Sequence, residues 1–153
     1  MTKKKMNETA LQLAGVIIKG IQEKKGHDLV CLNLSKINSS VCDFFIICHG
    51  DSHVHVEAIS DSVREQVYKA FKEKPWHSEG GRNSEWILID FVNVVAHIFL
   101  KEKRDFYNLE GLWADGEFIK VGDNGSVEML GVKKRKIKKT KSAKPVAKKS
   151  SPK

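Results

Sequence analysis

The chain of 153 residues has only three cysteines, no C-x-x-C pair and no D-x-D pair. Its apolar runs all fall well short of the ~18 residues that mark a membrane span. Each absence excludes a class. An odd cysteine count without ligand spacing argues against structural disulfides and a zinc ribbon. Cys31, Cys42 and Cys48 each sit among apolar residues, as small buried hydrophobes do. Met1-Thr-Lys-Lys-Lys-Met6 is basic but lacks the apolar core and small-residue cleavage site of a signal peptide. A reduced, cytoplasmic protein with no membrane partner is expected.

Acidic residues are missing from 132–153, which holds 11 of the 27 Lys+Arg. Residues 1–131 carry the other 16 together with all 19 Asp+Glu, a net of −3. Leaving out Lys3, Lys4 and Lys5 takes that stretch to −6. The formal +8 of the whole chain is therefore the sum of an acidic body and basic ends. Large apolar residues are scarce beyond Val132, so the tail cannot bury enough to order itself. It also has no aromatic residue to stack on bases. Lys133, Lys134, Arg135, Lys136, Lys138 and Lys139 are expected to contact phosphates without sequence readout.

What is present reads as alternating helices and strands. Asn7 to Lys25 has a helical stripe of Ala10, Ala14, Ile17, Ile18 and Ile21, with Asn7 as cap and Gly26 as stop. Leu29–Leu34 alternates as a strand. Val41–Cys48 is apolar at nearly every position, as a strand buried on both faces would be. A second helix follows His49-Gly-Asp-Ser52, with Val56, Ile59, Val63, Val67, Ala70 and Phe71 as its stripe and Asp51 or Ser52 as cap. The segment 72–82 has room for a short strand. Glu85–Phe91 and Val94–Leu100 are strands joined by a tight hairpin at Val92-Asn93. A third helix is expected over Glu102–Ala114, with Phe106, Leu109 and Trp113 packing inward. This order implies an α/β (α+β) domain with a mixed five-stranded sheet and packed helices. The expected division is a basic extension at 1–6, a domain at 7–115, a Gly-containing extension at 116–131 and a Lys-rich tail at 132–153.

Alternation puts Trp86, Leu88 and Asp90 on one face of their strand and Ile87, Ile89 and Phe91 on the other. The second set is the natural core, so the first can line an open face. An exposed Trp flanked by Leu makes a good interface anchor. His97 shares a face with Val95 and Phe99 and reads as a half-buried core histidine. Tyr107 and Glu110, three apart, are neighbours off the packing stripe and can face a partner. Glu79, Asp90 and Glu110 would give that surface a negative sign. His53-x-His55 lies near His49 and Asp51, but helix positions two apart point to different sides. With no third ligand to support them, these are expected to be solvated helix-start histidines, and no metal site is expected.

Four runs together resemble one family: Asp43-Phe-Phe-Ile-Ile-Cys-His-Gly-Asp-Ser52, Glu79-Gly-Gly-Arg-Asn-Ser-Glu-Trp-Ile-Leu-Ile-Asp90, Val94-Val-Ala-His-Ile-Phe99 and Arg104-Asp-Phe-Tyr-Asn-Leu-Glu-Gly-Leu-Trp113. In this order and spacing they are similar to the ribosomal silencing factor (Iojap-like) family over about residues 7–115. The resemblance implies a nucleotidyltransferase-like fold without the catalytic carboxylates, no catalysis and no cofactor. It implies binding to the large ribosomal subunit, chiefly through large-subunit ribosomal protein fourteen at the intersubunit face. Blocked joining of the small subunit and a homodimer when free are also implied. The partner surface would comprise Glu79, Trp86, Leu88, Asp90, Tyr107 and Glu110; the Lys-rich tail lies outside the resemblance, and rRNA contact through it is expected from its charge alone. Two other classes stand beside it. An active nucleotidyltransferase would share the Gly-Ser turn before a helix, but needs clustered carboxylates for two metals. Here the nearest pattern, Asp115-Gly-Glu117, lies after the last helix. A general RNA-binding protein would act through the tail alone.

Overall fold

The computed structural model describes residues 3–37, 42–121 and 127–128. Helix α1 (Lys3–Glu23) leads into strands β1 (His27–Asn33) and β2 (Phe44–Gly50), which pair antiparallel. Helix α2 (His53–Phe71) then carries the chain to the far edge. There β3 (His77–Glu79), β4 (Trp86–Asp90) and β5 (Val94–Leu100) form an antiparallel meander, and β5 returns to pair in parallel with β2. Two short helices, α3 (Lys101–Tyr107) and α4 (Leu109–Leu112), precede β6 (Glu117–Val121) and β7 (Val127–Glu128). The strand order is β3-β4-β5-β2-β1-β6-β7.

The α/β (α+β) class and the mixed sheet are as the sequence implies, but the described residues form seven strands rather than five. The two extra strands come from the segment read as a Gly-containing extension, so the sheet continues past residue 115. Strand β6 pairs Glu117, Phe118 and Ile119 with Asn33, Leu32 and Cys31. Ile119 is buried while Phe118 is 50% exposed. A strand next to the sheet's edge that commits so little to the core carries almost no periodic signal.

Two apolar layers flank the sheet. On one side, Ala10, Ala14, Ile17, Ile18 and Ile21 of α1 and Val56, Ile59, Val63 and Val67 of α2 close over Phe44, Ile46, Cys48, Ile87, Ile89, Ala96 and Ile98. The two helices approach closely at Gly20. A Cβ there would lie 3.0 Å from the Val63 Cα, and the Ser62 hydroxyl donates to the Gly20 carbonyl at 2.8 Å. Of the two cap candidates for α2, the structure uses Ser52, whose Oγ accepts the His55 N–H at 3.1 Å. On the other side, among the described residues, Leu32, Leu34, Phe45, Ile47, Val95 and Phe99 cluster with Leu109 of α4 and with Trp113 just after it. Strand β2 is buried at every position, as its unbroken apolar run implies.

The third helix departs most from expectation. It breaks at Asn108, which sits in the left-handed region at φ 46°, ψ 55° and ends α3 by donating its N–H to the Arg104 carbonyl. Asparagine tolerates this conformation better than most residues. The break turns Phe106 outward to 77% exposure, while Leu109 stays buried.

Candidate functional site

Strand β4 presents the face that the alternation implies. Ile87 and Ile89 are buried under the helices, and Trp86, Leu88 and Asp90 are half-buried on the opposite side. The register places Glu79 directly opposite Leu88 and His77 opposite Asp90, so those two side chains join the same face. The His77 Nε2 and Glu79 Oε2 are 2.6 Å apart. Tyr107 of α3 reaches the strip, its ring centroid 4.7 Å from that of Trp86. Five of the six residues expected at a partner surface, Glu79, Trp86, Leu88, Asp90 and Tyr107, are thus brought together. Phe106 extends the strip at one end, 5.1 Å from Tyr107. At the other end Trp76 and Val92 are 75% and 55% exposed. With Cys42, Asp90 and Val95 they line a cleft of about 300 Å³.

Trp86 is both a surface residue and a structural one. Its ring stacks on Phe99 at 4.9 Å, and its Nε1–H donates to His97 Nδ1 at 3.1 Å. His97 is fully buried rather than half-buried, and among the described residues its Nε2 has no hydrogen-bond partner. Accepting at Nδ1 requires the neutral ring. Burial pushes its pKa down from 6.5 to about 3. The unfolded chain therefore takes up this proton at a higher pH than the fold does. The stability due to neutral His97 is complete above about pH 6.5 and is lost as pH falls towards 3, with a slope of up to about 1.4 kcal/mol per pH unit. The melting temperature should fall through that window. The variant His97→Gln, which keeps an acceptor for Trp86 but does not titrate, should show a shallower fall. Equal slopes for the two proteins would refute this source of acid sensitivity.

Glu110 is placed elsewhere. The premise that it neighbours Tyr107 on one continuous helix fails at Asn108. Its Oε2 accepts from Arg104 Nη2 at 2.7 Å and from Nε at 3.1 Å. Arg104 is buried, and its Nη1 also lies 3.0 Å from His49 Nδ1 and 3.3 Å from the His27 carbonyl. Desolvation first, and then the Arg104 charge, hold His49 below its ordinary pKa. This hub ties α3 and α4 to the start of β1 and the end of β2. Arg104 lay in a matched run, but only the fold shows it as the buried centre.

Burial raises the thiols of Cys31, Cys42 and Cys48 to about 12, so they are inert as nucleophiles or thiolate ligands. Glu117 of the Asp115-Gly-Glu117 pattern accepts from the Asn33 amide at 3.0 Å. His53 and His55 diverge as expected. His53 Nδ1 lies 2.7 Å from the Asn83 carbonyl, and His55 Nε2 lies 2.8 Å from the Lys24 carbonyl. Lys133, Lys134, Arg135, Lys136, Lys138 and Lys139 lie outside the described residues. Among the described residues no helix is long and apolar enough to cross a membrane.

The sequence and the fold have relatives among known proteins. A family model described as ribosomal silencing factor during starvation matches residues 7–152. The ribosomal silencing factor RsfS of Halalkalibacterium halodurans is 37% identical over 115 residues, covering 75% of this chain and 94% of that protein. The chloroplastic Iojap protein of Zea mays is 37% identical over 78 residues, 51% of this chain and 33% of its own length. The crystal structure of a Chromobacterium violaceum protein superposes with a TM-score of 0.64 at 33% identity, covering 67% of this chain and 84% of that one. The family's description is that of a regulatory factor rather than an enzyme.

Proposed function

Because the chain belongs to the ribosomal silencing factor family, we propose that it binds the large ribosomal subunit and blocks association with the small subunit by occupying the space between them. One observation carries the reading: helices α1 and α2 close one side of the sheet, whereas the β4 side leaves aromatic and apolar side chains at the surface beside acids. Trp86, Leu88, Tyr107 and Phe106 supply rigid apolar anchors, the residue types that dominate interface energetics. Glu79 and Asp90 lend the strip a negative sign that suits a basic protein. Ribosomal proteins are generally basic, and large-subunit ribosomal protein fourteen on the intersubunit face is the expected contact. A second copy of the chain on this same strip would shield it when no ribosome is present. The mechanism is steric, so it makes and breaks no bond and needs no cofactor.

The lysine-rich tail adds a phosphate contact to rRNA in this scheme, supported by its 11 positive charges beside an acidic body. One set of experiments tests both parts. The protein should pellet with purified large subunits, not small ones, and reduce subunit joining followed by light scattering. Normal joining at saturating protein would refute the steric role. Removing residues 132–153 should weaken binding and flatten its dependence on salt, since fewer counterions are then released. An unchanged affinity and salt slope would remove the tail from the interface. Loss of all binding on tail removal would instead favour general RNA binding.

A further inference from the structure

Three donors from separate parts of the chain converge on the side of the molecule that carries the Arg104 hub. His27 opens β1, Asp51 lies in the β2–α2 loop and His55 occupies the first turn of α2. One potential ligand atom from each lies within 4.8 Å of the others. The His27 Nε2 is 2.9 Å and the His55 Nδ1 3.9 Å from the same oxygen, Asp51 Oδ2. Tetrahedral coordination at about 2.0–2.1 Å puts donors ~3.4 Å apart, within the spread seen here. From these positions we propose that His27, Asp51 and His55 form a binding site for a single Zn²⁺ ion, with the remaining position open to water.

Local structure prepares the site. The β1–β2 register shifts between His27 and Val30, and Asp28 sits at φ 48°. A bulge of this kind re-aims a side chain at the end of a strand. The His55 Nε2–H donates to the Lys24 carbonyl at 2.8 Å. Such a bond from the remote ring nitrogen fixes the tautomer of many metal-ligating histidines and leaves the other nitrogen free to coordinate. That nitrogen now accepts the Asp51 backbone N–H at 3.0 Å. Zn²⁺ would exchange this hydrogen bond for a coordinate bond. The 2.9 Å hydrogen bond between His27 Nε2 and Asp51 Oδ2 would be given up in the same way, with the His27 ring carrying its proton on Nδ1, and Asp51 adds the anionic ligand. The side chains of His27, Asp51 and His55 are 44%, 68% and 20% exposed, so an ion can enter from solvent. Two imidazoles and a carboxylate form a donor set suited to zinc. The ion would join the start of β1 to the start of α2, a contribution separate from docking through the β4 strip.

Calorimetric titration of the full chain with ZnCl₂ tests the site. One equivalent should bind saturably, and Zn²⁺ should raise the melting temperature, because it binds the folded state. His27→Gln and Asp51→Asn should each weaken binding by at least about tenfold. His53→Gln and His77→Gln, which change histidines outside the cluster, should leave it unchanged. The far-ultraviolet dichroism of each variant in the absence of metal establishes that it is folded. Absence of saturable binding, or binding that survives both His27→Gln and Asp51→Asn, would overturn the proposal.

Discussion

Exchanging Phe106 and Leu112 together for serine is expected to lower affinity for the large ribosomal subunit by about thirtyfold or more, while moving the melting temperature little. The two side chains are 77% and 75% exposed. Phe106 contacts Tyr107 edge-on at the end of the β4 strip, and Leu112 sits on α4, which packs on the same side of the sheet through Leu109. Surface substitutions away from buried features usually change stability by no more than about 0.5 kcal/mol. A central aromatic or aliphatic anchor that becomes desolvated in an interface is worth about 2 kcal/mol or more. Loss of binding without loss of stability therefore separates docking from folding. Trp86→Ala cannot do so, because it also unstacks Phe99 and leaves His97 Nδ1 without its donor. Pelleting of the double variant at wild-type affinity would exclude this end of the face from the interface.

Arg104→Met should be the most destabilising single change in the α3–α4 region, at about 3 kcal/mol. It leaves the Glu110 carboxylate, 24% exposed, without its partner, and it removes a donor from the buried His49 and the His27 carbonyl. Breaking a buried pair from one side costs about 3–5 kcal/mol, whereas replacing both partners by apolar groups is often nearly neutral. The melting temperature should accordingly fall by about 10 °C. The double variant Arg104→Met, Glu110→Leu should recover much of that loss. Lysine is a poor substitute at position 104, since it cannot reproduce the planar fork that reaches Glu110 and His49 together. A melting temperature within a degree or two of wild type for Arg104→Met would show that the hub is incidental. The outcome also bears on docking, because this hub holds the helix that carries Phe106 and Tyr107.

Legibility in the sequence followed the range of each interaction. The division of β4 into an inner Ile87–Ile89 face and an outer Trp86–Leu88–Asp90 face came from alternation, since a strand offers its side chains only two directions. The stripe of α1 and the unbroken apolar run of β2 were equally plain. What misled was local continuity. A helical stripe through Phe106, Leu109 and Trp113 assumes unbroken α geometry, and a single left-handed residue at Asn108 sends Phe106 outward. Glu110 reads as a surface acid until Arg104, six residues earlier and on the other side of that break, is seen to hold it.

The separation of an acidic folding body from a basic tail, the α/β (α+β) class and the open β4 face follow from the sequence alone, because charge counts and short-period patterns are local quantities. The likeness to the ribosomal silencing factors was likewise carried by short runs in order. Tertiary structure alone decided the pairings that join distant positions. It set Trp86 against His97, Arg104 between Glu110 and His49, and β6 beside β1. It also brought His27 to Asp51 and His55, a grouping that leaves His53 out. The β1–β2 hairpin sets that distance, and no spacing within the Asp51–His55 segment can disclose it.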